Sequence, residues 1–270
     1  MINKKIGIIG CGNMGEALLS HLSTVVEKST QLMVSEFDAE RREALRSKYR
    51  IIVEIDNNIV VKFADVIILA VKPQDIDAVL KTEVCCGVSR DKLLVSIAAG
   101  VTTKRIEKIV GEDVPVIRAM PNMAAKIGEA ITSLSAGASA NAGHMEIAKE
   151  IFSTIGDVVE IDEKHVDAVT AVSGSGPAYF YYLIESLVEA AVKVGINEEL
   201  AEKLVLKTAS GAIKLLEVLK EHHVSLRKRV TSKGGTTEAA FKVIEAKKLK
   251  KIMIDAVCAA HKRSKELSGR

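Results

Sequence analysis

From Lys5 to about Ile161, apolar runs of strand length alternate with amphipathic stretches, the order that βαβ units produce. Residues 5–9, 31–35, 66–71, 93–97 and 114–118 predict strands, and 14–26, 39–49, 74–80 and 103–110 carry helical spacing between them. The strand runs are almost continuously apolar rather than alternating, which suits a parallel sheet covered on both faces. Residues 131–134 predict a further strand, 142–155 a helix and 158–161 an edge strand.

Beyond Ile161 the strand signals stop. Residues 177–194, 198–219, 236–245 and 249–267 read as helices, with Pro177 suited to a first helical turn. Gly195 and Asn197 supply a helix stop and a new N-cap. The run from Leu204 to Ile213 is apolar or small around much of its circumference, so it demands burial on more than one side. Two arrangements meet that demand: a helical dimer interface, or a central helix within its own domain. The expected fold class is therefore an α/β Rossmann-type parallel sheet over residues 1–161, followed by an all-α domain over residues 162–270.

Composition narrows the function. Lys and Arg number 38 against 35 Asp and Glu, and the net charge of +3 is spread evenly. With no Trp and 3% aromatic residues, a nucleic-acid partner is not expected. Cys11, Cys85, Cys86 and Cys258 lack metal-ligand spacing and read as free thiols, so no metal site is expected. Neither a leader nor a membrane span is visible in the pattern, which implies a cytoplasmic protein.

The chemistry is carried by three glycine-rich segments. Gly10-Cys11-Gly12-Asn13-Met14-Gly15 follows a strand and opens a helix, the context of a dinucleotide fingerprint. Gly10 serves the tight turn, Gly12 close approach to pyrophosphate, and Gly15 helix–strand packing. Glu36 ends the second strand, where a carboxylate accepts from ribose hydroxyls and favours NAD over NADP, although Arg41 and Arg42 lie close by. The competing reading of Glu36 is a solvated loop carboxylate. Strand-end turns at Ala70-Val71-Lys72-Pro73 and Ile97-Ala98-Ala99 offer small residues and a cation to a flat ring and phosphate. Downstream stand Ser173-Gly174-Ser175-Gly176-Pro177 and Val230-Thr231-Ser232-Lys233-Gly234-Gly235-Thr236-Thr237, the latter able to hold a small anion with N–H groups and hydroxyls. His165 reads as a helix-surface residue and His222-His223 as a solvated helix end.

Together with Arg118-Ala119-Met120-Pro121-Asn122 and Gly174-Ser175-Gly176-Pro177-Ala178-Tyr179, these motifs resemble the pyrroline-5-carboxylate reductase family over nearly the whole chain. The resemblance implies reduction of Δ1-pyrroline-5-carboxylate to proline by NADPH or NADH, in a homodimer that often assembles into a decamer. It places the cofactor against Ile9, Gly10, Cys11, Gly12, Asn13, Met14, Glu36, Asn57, Ala70, Val71, Lys72, Pro73, Ile97, Ala98 and Ala99. It places the substrate carboxylate at Ser232, Gly235, Thr236 and Thr237, with Glu163 near the substrate. Thr237 is the candidate catalytic residue, hydrogen-bonding the ring nitrogen as it gains electron density. The chain departs from the family at Lys233, at Met123-Ala124 and at Ala130, where proline, Thr-Pro and glycine are usual. A reductase of a related cyclic imine acid and a non-catalytic NAD(P)H sensor are the alternatives.

Overall fold

The computed structural model describes residues 2–269. Eight strands form one sheet: β1 (Ile6–Ile9), β2 (Leu32–Ser35), β3 (Ile52–Glu54), β4 (Val66–Leu69), β5 (Leu93–Ser96), β6 (Val116–Met120), β7 (Ala130–Ala136) and β8 (Gly156–Glu160). Their order is β3-β2-β1-β4-β5-β6-β7-β8, parallel through β6, antiparallel between β6 and β7, and parallel again between β7 and β8. The chain leaves β1 for β2 on one side and later returns to β4 on the other. That reversal creates a crevice at the carboxyl ends of the strands, where open α/β sheets bind ligands.

Neighbouring residues of each central strand serve opposite layers, which explains why the runs are apolar throughout. Ile6, Ile8, Val66, Ile68 and Val95 pack with Leu18, Leu19 and Leu22 of α1 (Asn13–Val25) and with Met145, Ile151 and Phe152 of α6 (Ala142–Phe152). Ile9, Ile67, Leu69 and Leu94 face the other way, against Val60 and Val61 of α3 (Asn57–Phe63) and Ile106 of α5 (Thr103–Val110). Each fully buried leucine or isoleucine is worth about 1.5–3 kcal/mol of apolar transfer. Asp38 caps α2 (Ala39–Tyr49) by accepting from Arg41 N at 2.8 Å, and Thr102 caps α5 from Arg105 N at 3.2 Å.

The five expected central strands and the edge strand all form, with ends shifted by a few residues. Sequence patterning missed β3 and α3, which are three and seven residues long. It also missed two π-helical turns: Leu80–Val84 after α4 (Ile76–Val79), and Thr170–Gly174 after α7 (Val166–Val169).

Two compact units divide the chain. The first runs to Ser175 and takes back the segment from Ala260 onward, and the second is Gly176–Ala259. This division differs from a boundary at 161/162, because α7 and the π turn stay with the sheet. The second unit holds α8 (Gly176–Lys193), α9 (Glu198–Leu219), α10 (His223–Arg229), α11 (Thr236–Ala246) and most of α12 (Leu249–Leu267). Asn197 caps α9 from Leu200 N at 2.9 Å, and Gly195 at φ +98° ends the preceding turn. Of the two arrangements open for α9, the central buried helix does not occur: only Ala201 of α9 is buried, while Leu204, Leu206, Ile213 and Leu215 are exposed.

Candidate active site

A groove of about 690 Å³ opens at the crevice beside β1. Of the residues expected at the cofactor, Gly10, Cys11, Gly12, Glu36, Asn57, Ala70, Val71 and Lys72 line it, together with Ser35, Phe37 and Ile55, which the motifs did not single out. Gly10 adopts φ +83°, and a Cβ there would lie 2.9 Å from Val71 Cγ1. A Cβ on Gly15 would stand 2.5 Å from Gly10 O, so α1 packs directly on the turn. A Cβ on Gly12 would meet nothing within 4 Å, which leaves room for a ligand against the backbone. Gly12 is also the N-cap of α1 and forms no side-chain cap, so the positive helix end faces outward uncapped.

Other expected cofactor residues lie elsewhere in the first unit. Ile9 is fully buried in β1 and supports the turn from below, while Asn13 borders a separate depression with Glu16 and Lys126. Pro73 is exposed after β4, and Ile97, Ala98 and Ala99 follow β5 without lining the groove. Phe37 is 88% exposed at the groove's edge. It stands in a short loop outside any apolar run, so the sequence carries no signal for it. Ser35 is buried, and among the described residues its Oγ has no hydrogen-bond partner.

The Glu36 carboxylate accepts from Cys11 N and Asp38 N, each at 3.1 Å, and Arg41 Nε lies 3.7 Å away. The reading of Glu36 as a free loop carboxylate therefore does not fit. Arg41 donates to Cys11 O at 2.6 Å and to Glu16 Oε2 at 2.8 Å, whereas Arg42 donates to the carbonyls of Glu36 and Phe37. Burial acts to raise the Glu16 carboxyl, but hydrogen bonds from Lys48 and Tyr49 and the charges of Lys48 and Arg41 outweigh it and hold it below its ordinary range. Burial also pushes the Cys11 thiol up to about 12, so it remains protonated under the groove.

A buried ionic network lies behind the ends of β5 and β6. Arg118, with its side chain 1% exposed, pairs with Glu163 at 3.3 Å and with Asp167 at 3.9 Å. Glu163, expected near substrate, spends its oxygens within the fold, on Thr103 N and Thr103 Oγ1 at 2.8 Å each as well as on Arg118. Ser264 Oγ donates to Asp167 at 2.9 Å and Ser268 Oγ at 3.4 Å, which ties the end of α12 to the same cluster. The π turn that follows seats Gly174 against Met120: a Cβ there would meet Met120 Cε at 3.1 Å.

In the second unit, the hydroxyl–glycine segment forms the approach to α11. Gly234 takes φ +76°, Gly235 is the N-cap without a side-chain cap, and Gly235 N donates to Ser232 O at 3.1 Å. Thr236 and Thr237 occupy the first turn, and Glu238 accepts from Gly234 N at 2.9 Å. Among the described residues, no hydrogen bond engages the hydroxyls of Ser232, Thr236 or Thr237, although Thr231 Oγ1 donates to Arg227 O. Lys233 is exposed. His165 is exposed too, and His222 caps α10 by accepting from Val224 N at 3.3 Å. Met123 is exposed in a short 3-10 turn capped by Asn122, and Ala130 is buried at the start of β7, paired with Gly156 of β8.

Known proteins share this chain almost end to end. A family described as pyrroline-5-carboxylate reductase dimerisation matches residues 163–267, and one described as NADP oxidoreductase, coenzyme F420-dependent, matches residues 5–100. A Synechocystis pyrroline-5-carboxylate reductase is 40% identical over 266 residues, 97% of this chain and 98% of that protein. The structure of a pyrroline-5-carboxylate reductase from Coxiella burnetii superposes with a TM-score of 0.91 at 34% identity, covering 98% of both chains. That of the Plasmodium falciparum enzyme with NADP bound gives 0.90 at 30% identity, covering 99% of both.

Proposed function

The chain belongs to the pyrroline-5-carboxylate reductase family, and from that premise we infer that it reduces Δ1-pyrroline-5-carboxylate to L-proline at the expense of NADH or NADPH, completing proline biosynthesis. The observation that carries the substrate assignment is the α11 N-terminus, whose uncommitted hydroxyls and open N-cap suit a small carboxylate. The first unit fits a dinucleotide on independent grounds: Gly12 leaves space against the backbone, and the buried Ser35 hydroxyl awaits a partner.

A reduced nicotinamide, when bound, supplies the hydride that ends on the imine carbon. The protein's own task is positioning. Ser232, Gly235, Thr236 and Thr237 hold the carboxylate, converting an encounter into an oriented complex, an effect worth several kcal/mol of barrier. The Thr237 hydroxyl hydrogen-bonds the ring nitrogen as electron density builds there. Gly10 to Met14 cradle the pyrophosphate, Glu36 and Asn57 hold the adenosine ribose, and Ala70 to Pro73 with Ile97 to Ala99 border the nicotinamide. Glu163, which also fixes Thr103 and Arg118, stands near the substrate. Residues 162–270 act as the substrate and dimerisation domain. Dimers, assembling further into a decamer in the cytoplasm, complete the reading. Among the described residues, no helix is long and apolar enough to cross a membrane.

The test is oxidation of reduced dinucleotide dependent on added pyrroline-5-carboxylate, with a six-membered cyclic imine acid in parallel. Removing one hydrogen bond to a charge-bearing atom costs roughly 10- to 100-fold, so Thr237→Ala should lose that much kcat/KM and Thr237→Ser should recover most of it. An unchanged Thr237→Ala enzyme sinks the role of this hydroxyl. Preference for the six-membered acid reassigns the substrate.

A further inference from the structure

We propose that this chain selects NADH over NADPH, with Glu36 as the discriminating residue; the inference rests on the reductase reading above. Glu36 lines the dinucleotide groove at the end of β2, and its side chain is 14% exposed. Two backbone N–H groups, from Cys11 and Asp38, fix its carboxylate. An ionised carboxylate has about four acceptor positions, so two remain for ribose hydroxyls. A ribose that donates through its 2′ and 3′ hydroxyls meets that demand. A 2′-phosphate, carrying about −1.5 to −2 charges like other phosphomonoesters, brings acceptors and like charge instead.

The cations that could reverse this preference are already engaged. Arg41 is held by Glu16 and by the Cys11 carbonyl, and Glu16 is in turn gripped by Lys48 at 3.0 Å and Tyr49 at 3.1 Å. Arg41 could offer a phosphate only the N–H groups left over from Cys11 and Glu16, from a side chain held 3.7 Å from the Glu36 carboxylate. Arg42 turns its Nη1 to the carbonyls of Glu36 and Phe37. Neither arginine lines the groove, whereas Glu36, Asp75 and Glu83 do, with Lys72 as the one amine among the groove's lining residues. The NADP-bound Plasmodium falciparum relative shows that the family also accommodates the phosphorylated dinucleotide. The preference is therefore a property of these side chains rather than of the fold.

Binding of NADH and NADPH to the purified full chain, followed by the fluorescence of the reduced nicotinamide, tests this without turnover. Wild type should bind NADH at least about tenfold more tightly, which is about 1.4 kcal/mol and within what like-charge juxtaposition costs. Glu36→Gln should narrow the ratio by loosening NADPH exclusion, and Glu36→Ser should narrow it further. Because Glu36 also braces the glycine turn, 5′-AMP and 2′,5′-ADP should be compared as competitors on wild type alone, where 5′-AMP should compete better. Equal or tighter binding of NADPH, or of 2′,5′-ADP, overturns the inference. So does a well-folded Glu36→Gln protein whose ratio is unchanged. Binding of neither dinucleotide would instead sink the cofactor reading itself.

Discussion

The two compact units satisfy their apolar residues in opposite ways. The first buries leucines, isoleucines and valines on both faces of its sheet, and its polar interior is cross-linked by Arg118, Glu163 and Asp167. In the second, Ala201 is the only buried apolar side chain among the described residues, while Phe180, Leu183, Leu187, Leu204 and Ile213 lie in the open. A domain with its own core is thus joined to helices that leave many large apolar side chains exposed, the mark of an interaction surface. The lesson is that local helix signals formed α8 and α9, yet their burial requires another chain, in keeping with the dimerisation match over residues 163–267.

The largest effect is expected at those exposed faces. Leu187→Glu combined with Leu204→Glu should weaken the dimer by at least about 4 kcal/mol, roughly a thousandfold in dissociation constant, as read by light scattering. A mutant dimer as tight as wild type would mean that these faces are not the contact. Next in size is the first unit's own interior. Arg118→Ala leaves two carboxylates without their cation, and the loss expected in denaturant melts is about 3–5 kcal/mol. A milder test uses the last helix: Ser264→Ala strips a buried hydrogen bond from Asp167 and should cost about 1–3 kcal/mol, although the residue lies far along the chain.

Acid supplies a smaller effect confined to the first unit. Glu16 has its carboxyl held down in the folded state, so its contribution is full above the ordinary carboxylate pKa of about 4.3 and fades as pH falls through the lower folded value. Thermal melts below that pH should show a loss that Glu16→Gln abolishes, and parallel curves for both proteins would refute it. The smallest contrast is chemical. Cys11, buried and held protonated, should resist alkylation in the native protein, while the exposed Cys86 reacts; mass spectrometry of labelled peptides distinguishes them.

Much of the first unit was legible because both faces of the sheet are covered, so each central strand reads as an unbroken apolar run. The sequence pattern hid β3 because Ile52 points outward and only Val53 packs fully. The π turn at Thr170–Gly174 was invisible, since one extra residue per turn leaves no mark in composition. At the candidate site the glycines and Glu36 were readable from spacing. The bonds that pin Glu36, Arg41 and Arg42 were not, because they join residues up to 30 positions apart. Glu163 was placed by motif, whereas its bonds to Thr103 and Arg118 join residues 60 and 45 positions apart and left no local mark.

The return of α12 to the first unit imposes an order on biosynthesis. Ser264 and Ser268 meet Asp167, and Leu267 lies against Gly100, where a Cβ would stand 3.1 Å from its carbonyl oxygen. A ribosome makes those partners only after every helix of the second unit has emerged. Until then the sheet has its core, but Asp167 waits in a half-built interior and the loop after β5 lacks its cover. The nascent first unit thus depends on the end of α12 to close it.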